Sequence, residues 1–461
     1  MMITRRIGTG LFAVVLLAAG PAAARAEVAP EAAEASMLDF REVIRDAKAG
    51  VFPAVVYIKC LVETHESGRK QTHEQGGSGV IISPEGEVLT NWHVVDKATE
   101  IRCLLSDGRH FDAEVVCSDK DLDLALVRLA VPESTGVPYA ELGESSALTE
   151  GDFVMAMGAP WGLSRSVSLG IISCTDRYLE GSSEYSLWLQ TDAAISPGNS
   201  GGPLVNTDGR VIGINTLGMM QGGDTGFATP SDVIKQVLPR MREKGDISWS
   251  WTGLKLQPIR DFDRDVYFAG DKGVIVASTD KGSPARRAGI LDGDRILTLG
   301  GEPTDGLTEE RLPAIRRRLA LLTIDEPITL KILRDHETLE VELTPTVKGE
   351  VEGEELDAPR FDFTVKAINQ FDNPQLHYYR QKGVFIFGIE YPGNASDAGL
   401  RQEDIITKIG KEKIETLEDF KRVHAALLED VEDNPRARVT VLRNGMMRQV
   451  VLDFSRDYER E

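Results

Sequence analysis

Gly198-Asn199-Ser200-Gly201-Gly202-Pro203 is the stretch on which the reading of this 461-residue chain turns. Three glycines around one serine permit a tight turn with positive φ and the close approach of another backbone. Such a turn can aim amides of Gly198-Asn199-Ser200, those of Gly198 and Ser200 in particular, at one point, as stabilising an oxyanion requires. A glycine turn with an incidental serine reads the same locally, so the surroundings must decide. Across residues 53–230 short β-rich runs alternate with glycine turns, among them 54–60, 79–83, 100–105, 124–129, 153–157, 187–191 and 211–216. Ser106-Asp107-Gly108-Arg109 and Asn206-Thr207-Asp208-Gly209 are hairpin signals between apolar runs. Many short strands at this spacing predict a sandwich or barrel, mainly β. Helical periodicity first appears at 231–244, after the serine cap Ser231.

Two residues upstream give Ser200 chemical company. His93 closes the run Val88-Leu89-Thr90-Asn91-Trp92-His93-Val94-Val95, where a strand gives way to a turn or helix. Asp123 follows the turn residues Asp119 and Asp121 and leads into the apolar run Leu124-Ala125-Leu126-Val127. It is therefore the carboxylate best placed for partial burial against an imidazole N–H. The order is His93, Asp123, Ser200, with intervals of 30 and 77 residues. Chymotrypsin-type barrels carry their base, orienting carboxylate and nucleophile in that order. The other six histidines read as solvated or packed. His65 and His73 flank glutamates without a full ligand set, so neither a metal nor a cofactor is implied.

The bulk numbers set the frame. A chain of 461 residues, 41% hydrophobic and 27% charged, is a soluble protein of several domains. A net charge of -21 repels phosphate backbones, so nucleic acid is excluded as a partner class. Arg5 and Arg6, the uncharged apolar run 7–19 and Ala24-Arg25-Ala26 read as an export signal over 1–26, removed outside the cytoplasm. An uncleaved membrane anchor is the alternative, although the run is short of the ~20 apolar residues of a span. An Ala/Glu-rich segment, 27–50, follows and holds a short helix near Phe40. Cys60, Cys103, Cys117 and Cys174 allow three disulfide pairings, and buried free thiols fit their apolar contexts equally.

The C-terminal part repeats itself. Lys272-Gly273-Val274-Ile275 is echoed by Lys382-Gly383-Val384-Phe385, and Gly289 by Gly399, each pair 110 residues apart. A constant offset means two copies of one module. Glu350, Glu352, Glu354, Glu355 and Asp357 lie between them without apolar periodicity and read as a linker.

These motifs together resemble the HtrA/Deg family of serine proteases. The matching runs are Gly77-Ser78-Gly79-Val80, Leu89-Thr90-Asn91-Trp92-His93-Val94-Val95, Asp123-Leu124-Ala125, Gln190-Thr191-Asp192-Ala193-Ala194-Ile195, Gly198-Asn199-Ser200-Gly201-Gly202-Pro203-Leu204 and Gly213-Ile214-Asn215-Thr216. The resemblance implies a chymotrypsin-like double β-barrel over 51–245 and α+β PDZ domains over 250–346 and 360–456, the second divergent, joined by the linker 347–359. It implies that Ser200 attacks, His93 is the base, Asp123 orients it, and the glycine turn holds the oxyanion. It further implies an extracytoplasmic, periplasmic quality-control endopeptidase acting on unfolded polypeptides, assembled as a trimer or multiples of one. A chaperone or scaffold that binds unfolded chains with little cutting is the alternative. Gly273, Val274 and Ile275, and Gly383, Val384 and Phe385, are the expected carboxylate loops for hydrophobic C-termini. Ala194, Ile195 and Leu217 are the candidates for an apolar S1 pocket, and Asp192 is not expected to confer basic specificity. The chain departs from the family at Ala159-Pro160-Trp161-Gly162, at Trp92, and in a short loop from Glu63 to Gly76 that argues against large cages.

Overall fold

The computed structural model describes residues 39–132, 135–160, 165–179, 181–219, 225–243, 247–261 and 263–458. The export signal expected over 1–26, residues 27–38, and Trp161 and Gly162 lie outside the described residues. Among those described, no helix is long and apolar enough to cross a membrane.

Helix α1 (Phe40–Val51) leads into β1 (Val55–Thr64), β2 (Gln71–Ile81), β3 (Glu87–Thr90), the one-turn helix α2 (Trp92–Val95), β4 (Ala98–Leu104), β5 (His110–Asp119) and β6 (Leu124–Leu129). These strands close in the order β1-β2-β3-β6-β5-β4. Strand β1 shows why: Ile58, Cys60 and Val62 are buried while Lys59 faces water, the period-2 pattern of a barrel wall. A second closed barrel, in the order β10-β11-β12-β9-β8-β7, is built from β7 (Phe153–Gly158), β8 (Ser166–Arg177), β9 (Trp188–Thr191), β10 (Pro203–Asn206), β11 (Val211–Met219) and β12 (Thr225–Pro230). Met155, Met157, Val205 and Ile214 of the second barrel share one apolar cluster with the first, joined by Ile234, Val237 and Met241 of α3 (Ser231–Arg242). The barrels thus meet across a continuous core, and their seam is where His93, Asp123 and Ser200 fall. Among the described residues the four cysteines form no disulfide. Burial pushes the Cys60 thiol up to about 12 and raises that of Cys103 as well, so both are neutral apolar fillers.

Two PDZ-like sheets follow. The first has strands Leu254–Gln257, Val274–Thr279, Arg295–Leu299, Ile328–Arg334 and Glu337–Leu343, with Glu302–Pro303 beside them. The second repeats this with Phe363–Ala367, Val384–Ile389, Ile405–Ile409, Arg436–Arg443 and Met446–Asp453, with Glu412–Lys413 at its margin. Helices Leu312–Ala320 and Leu417–Glu429 put Leu312, Ile315 and Leu319, and Phe420 and Val423, into the respective cores.

The acidic stretch 347–359 corrects the linker expectation. Thr346–Val347 pairs with Ser250–Trp251, and Glu355–Ala358 is an edge strand of the second repeat, which therefore starts at 355 rather than 360. Charge misled the reading. Glu352 pairs with Lys120, and Glu355 with Lys97 and Lys366, while Ala358 is buried in the core. These carboxylates face a neighbouring module rather than solvent.

Candidate active site

The barrel seam assembles the site from three turns. Strand β3 ends at Thr90, and Asn91 stays extended (φ -83°, ψ 151°) before α2 begins, which places His93 at the start of the helical turn. The His93 ring nitrogen Nδ1 lies 2.9 Å from each carboxylate oxygen of Asp123, and the His93 backbone N–H donates to Asp123 Oδ1 at 3.1 Å. Asp123 adopts φ +47°, a left-handed conformation uncommon for a residue with a Cβ. Its carbonyl accepts from Asn91 Nδ2 at 2.8 Å. The turn is fixed by buried Asp119, whose carboxylate accepts from the Leu122 amide and from Trp249 Nε1. Burial, then the charge of Asp121, pushes the Asp119 carboxyl up to about 6.

Ser200 sits in the turn between β9 and β10. Gly198 takes φ +98° and Gly201 φ +83°. A Cβ on Gly201 would collide with the Ser78 carbonyl and the Thr90 hydroxyl, so glycine is required there on both counts. Ser78, fully buried, organises the turn from the first barrel. Its amide donates to the Ser200 carbonyl at 2.8 Å, its hydroxyl donates to the Gly198 carbonyl at 2.5 Å, and that hydroxyl accepts from the Ala159 amide at 2.8 Å. The Ser200 hydroxyl donates to the Thr216 carbonyl at 3.2 Å, whereas the Thr216 hydroxyl donates to Asp123 Oδ2. Thr216 thus links the serine to the carboxylate. The structure pairs His93 with Asp123 directly and brings Ser200 to them through Thr216.

Asn199, expected among the oxyanion donors, engages its polar groups elsewhere. Its amide donates to the Ser196 carbonyl at 2.9 Å, and its buried side chain accepts from the Ser166 hydroxyl at 2.8 Å. Among the described residues the amides of Gly198 and Ser200 have no such acceptor. Ala194 and Ile195 are half-buried next to the turn, Ile195 against Gly226. Leu217 lies in β11 opposite Phe227, and its side chain is outside the described residues. Asp192 accepts from the Ile171 amide at 2.7 Å, which ties it to β8. In the repeats, Val274, Ile275, Val384 and Phe385 are buried strand residues, and the Gly273 amide donates to the Thr304 carbonyl at 3.2 Å. Gly383 enters its strand at φ +147°. Sequence reasoning missed the roles of Ser78, Thr216 and Asp119. Ser78 and Thr216 are small polar residues within strand-like runs, which is the one local signal they leave, whereas Asp119 reads as a turn residue.

Residues 77–214 match the trypsin-like peptidase domain and residues 251–344 the PDZ domain. The protein named probable periplasmic serine endoprotease DegP-like from Halomonas elongata is 35% identical over 373 residues, covering 79% of this chain and 76% of that protein. A protein of the same name from Chlamydia pneumoniae is 32% identical over 352 residues, covering 75% and 70%. Among solved structures, the HtrA-type protease AlgW with a decapeptide superposes with a TM-score of 0.57 at 29% identity, covering 66% of this chain and 99% of that one. The serine endoprotease from Yersinia pestis gives 0.50 at 29%, covering 66% and 97%.

Proposed function

The chain belongs to the DegP-like, HtrA-type serine endoproteases, and on that premise we propose that Ser200 is its nucleophile, His93 its general base and Asp123 the group that orients the imidazole. The observation that carries this is the His93–Asp123 pair, 2.9 Å apart on two edges of the barrel seam that also holds Ser200. With Asp123 on Nδ1, the imidazole keeps Nε2 as the acceptor, the tautomer a base needs. The serine proton passes to Nε2 as Oγ attacks a peptide carbonyl; the imidazolium then gives that proton to the leaving amine. Water hydrolyses the acyl-enzyme by the same base. The amides of Gly198 and Ser200, without acceptors of their own among the described residues, hold the oxyanion. A Ser200→Ala chain should stay folded and lose ~10³-fold or more in cleavage of unfolded casein. Equal cleavage by both chains would refute the assignment.

The substrates proposed are unfolded polypeptides outside the cytoplasm, in line with the periplasmic naming of the relatives. Ala194, Ile195 and Leu217 favour small aliphatic residues before the scissile bond, and a cleavage profile dominated by Lys or Arg would overturn this. The PDZ repeats capture hydrophobic C-termini or serve assembly, a trimer being the form expected. Amidating a C-terminal peptide should abolish its binding to the Ser200→Ala chain if the carboxylate is read. One observation favours a second reading, a chaperone that rarely cuts: Ser200 Oγ turned to the Thr216 carbonyl is a resting arrangement. The casein assay separates the two.

A further inference from the structure

Beside His93 and Asp123 opens a cavity of about 1100 Å³ whose walls come from both barrels and from both PDZ-like repeats. It exceeds the ~300–1,000 Å³ of a small-molecule pocket, which suits several residues of an extended chain. Trp92, Tyr178 and Trp188 line it from the protease domain, Trp251 and Leu254 from the first repeat, and Phe371 from the second. Several of its charged groups are paired. Lys348, with a side chain only 8% exposed, pairs with Asp121 at 2.8 Å and donates to the Tyr185 hydroxyl at 2.8 Å, while Lys120 pairs with Glu352. The Lys348 ammonium also lies 5.3 Å from the centre of the half-buried Phe371 ring and 4.9 Å from that of Tyr185. The Lys120 ammonium lies 5.2 Å from the Trp92 ring centre, one residue before His93. Beside these pairs the cavity offers a ligand aromatic and aliphatic surface.

We propose that this cavity is a composite substrate site: it binds the stretch of an unfolded polypeptide flanking the scissile bond, selects large apolar side chains there, and takes Phe371 of the second repeat as a specificity-determining wall. The occupant follows from continuity: the cavity reaches His93, Asp123 and Thr216, so a chain whose carbonyl lies at that edge has this space open beside it. Lys348 is the positioning residue. It holds Phe371 by its charge and holds Asp121, two residues before Asp123, by an ion pair. The site rests on attack by Ser200, and its test keeps the two apart. Full-length chains are assayed on two sets of peptides that share one scissile bond and carry either phenylalanine or glycine at the flanking positions. The wild-type chain should prefer the phenylalanine set, and Phe371→Ala should lower that preference about tenfold, chiefly through KM. Phe371→Leu should keep most of it, and Tyr378→Ala, on exposed surface of the same repeat, should keep all of it. If alanine loosens the loop, seen as earlier urea unfolding, Phe371→Gln carries the same expectation at similar volume. A wild-type chain that cuts neither set overturns the Ser200 chemistry and this site with it. Cutting whose preference is indifferent to Phe371 overturns this site alone.

Discussion

Thr216 shows how much of the site depends on one hydroxyl. It donates to Asp123 Oδ2 while its carbonyl accepts from Ser200 Oγ, so one residue holds both the carboxylate and the serine hydroxyl. Removing a hydrogen bond to a charged group costs about 1.5–3 kcal/mol. Thr216→Val should therefore lower kcat about tenfold or more with KM little changed, and Thr216→Ser should restore it; a valine chain of normal kcat would show that Asp123 needs no such anchor. Asp119 makes a second residue-scale prediction. Its carboxyl is raised to about 6, first by burial and then by Asp121. The folded chain thus holds this proton more tightly than the unfolded one, whose aspartates titrate near ~3.9. The stabilisation is complete below that lower value and is lost as pH rises through about 6. A shift of roughly two units corresponds to about 3 kcal/mol. Asp119→Asn does not titrate, so its stability relative to wild type should climb by that order between pH 4 and pH 7, measured by urea unfolding at each pH. A flat difference would mean that Asp119 is ionised throughout.

Among the elements, the two repeats carry the same hidden clamp. Arg334 Nε and Nη2 each lie 2.6 Å from the buried Asp294 carboxylate, and Arg334 Nη2 also donates to the Gly289 carbonyl. Arg443, Asp404 and Gly399 reproduce this in the second repeat. Asp294 and Asp404 are 1% and 0% exposed, so losing the arginine strands a buried charge, at a cost of about 3–5 kcal/mol. Arg334→Met and Arg443→Met should each destabilise their own repeat by that amount in denaturant titrations, with additive effects in the double variant. Strong coupling between them would mean the repeats unfold as one unit. The 110-residue offset was legible because Gly289 and Gly399 stand in identical turn contexts; the arginines were not, since a charged residue in a strand reads as solvent-facing until its partner is known. The barrels were legible for the same local reason as the offset: short apolar runs between turn residues. The turn around Ser200 was legible as a turn, because only glycine tolerates positions such as 201. The Gly198 and Ser200 amides were legible with it as donors; that the Asn199 amide is spent on the Ser196 carbonyl was not, because that bond depends on how the turn closes. The strand at 355–358 escaped notice because Glu355 finds one of its lysines, Lys97, far away in sequence.

For the whole molecule, those acidic residues decide how the second repeat sits on the first barrel. Glu355 Oε1 lies 2.7 Å from Lys97 Nζ and 3.2 Å from Lys366 Nζ, and its Oε2 lies 3.3 Å from His65 Nδ1. Lys366 also pairs with Asp372 at 2.8 Å, one residue after Phe371. Close by, the β1–β2 hairpin tip gives its His65 carbonyl to the Thr364 hydroxyl, and Arg69 pairs with Glu390 at 3.1 Å. Burial alone would raise the Glu355 carboxyl, but the hydrogen bonds and charges of Lys97 and Lys366 outweigh it and hold it below the usual range. A depressed carboxylate stabilises the docked arrangement above its ordinary value of ~4.3 and ceases to do so as pH falls through its lowered value. Docking should therefore persist at neutral pH and fail in acid. It should resist salt, because the Glu355 side chain is only 8% exposed and such pairs are poorly screened. Glu355→Gln should weaken docking by about 3 kcal/mol even at neutral pH, because Lys97 and Lys366 lose a shared counter-charge. Hydrogen exchange at residues 65–70, read with proteolytic nicking near residue 350, measures this directly. Both should rise in Glu355→Gln and in acid, and neither in 1 M salt. Protection that collapses in salt but survives Glu355→Gln would move the docking energy to the exposed Arg69–Glu390 pair instead.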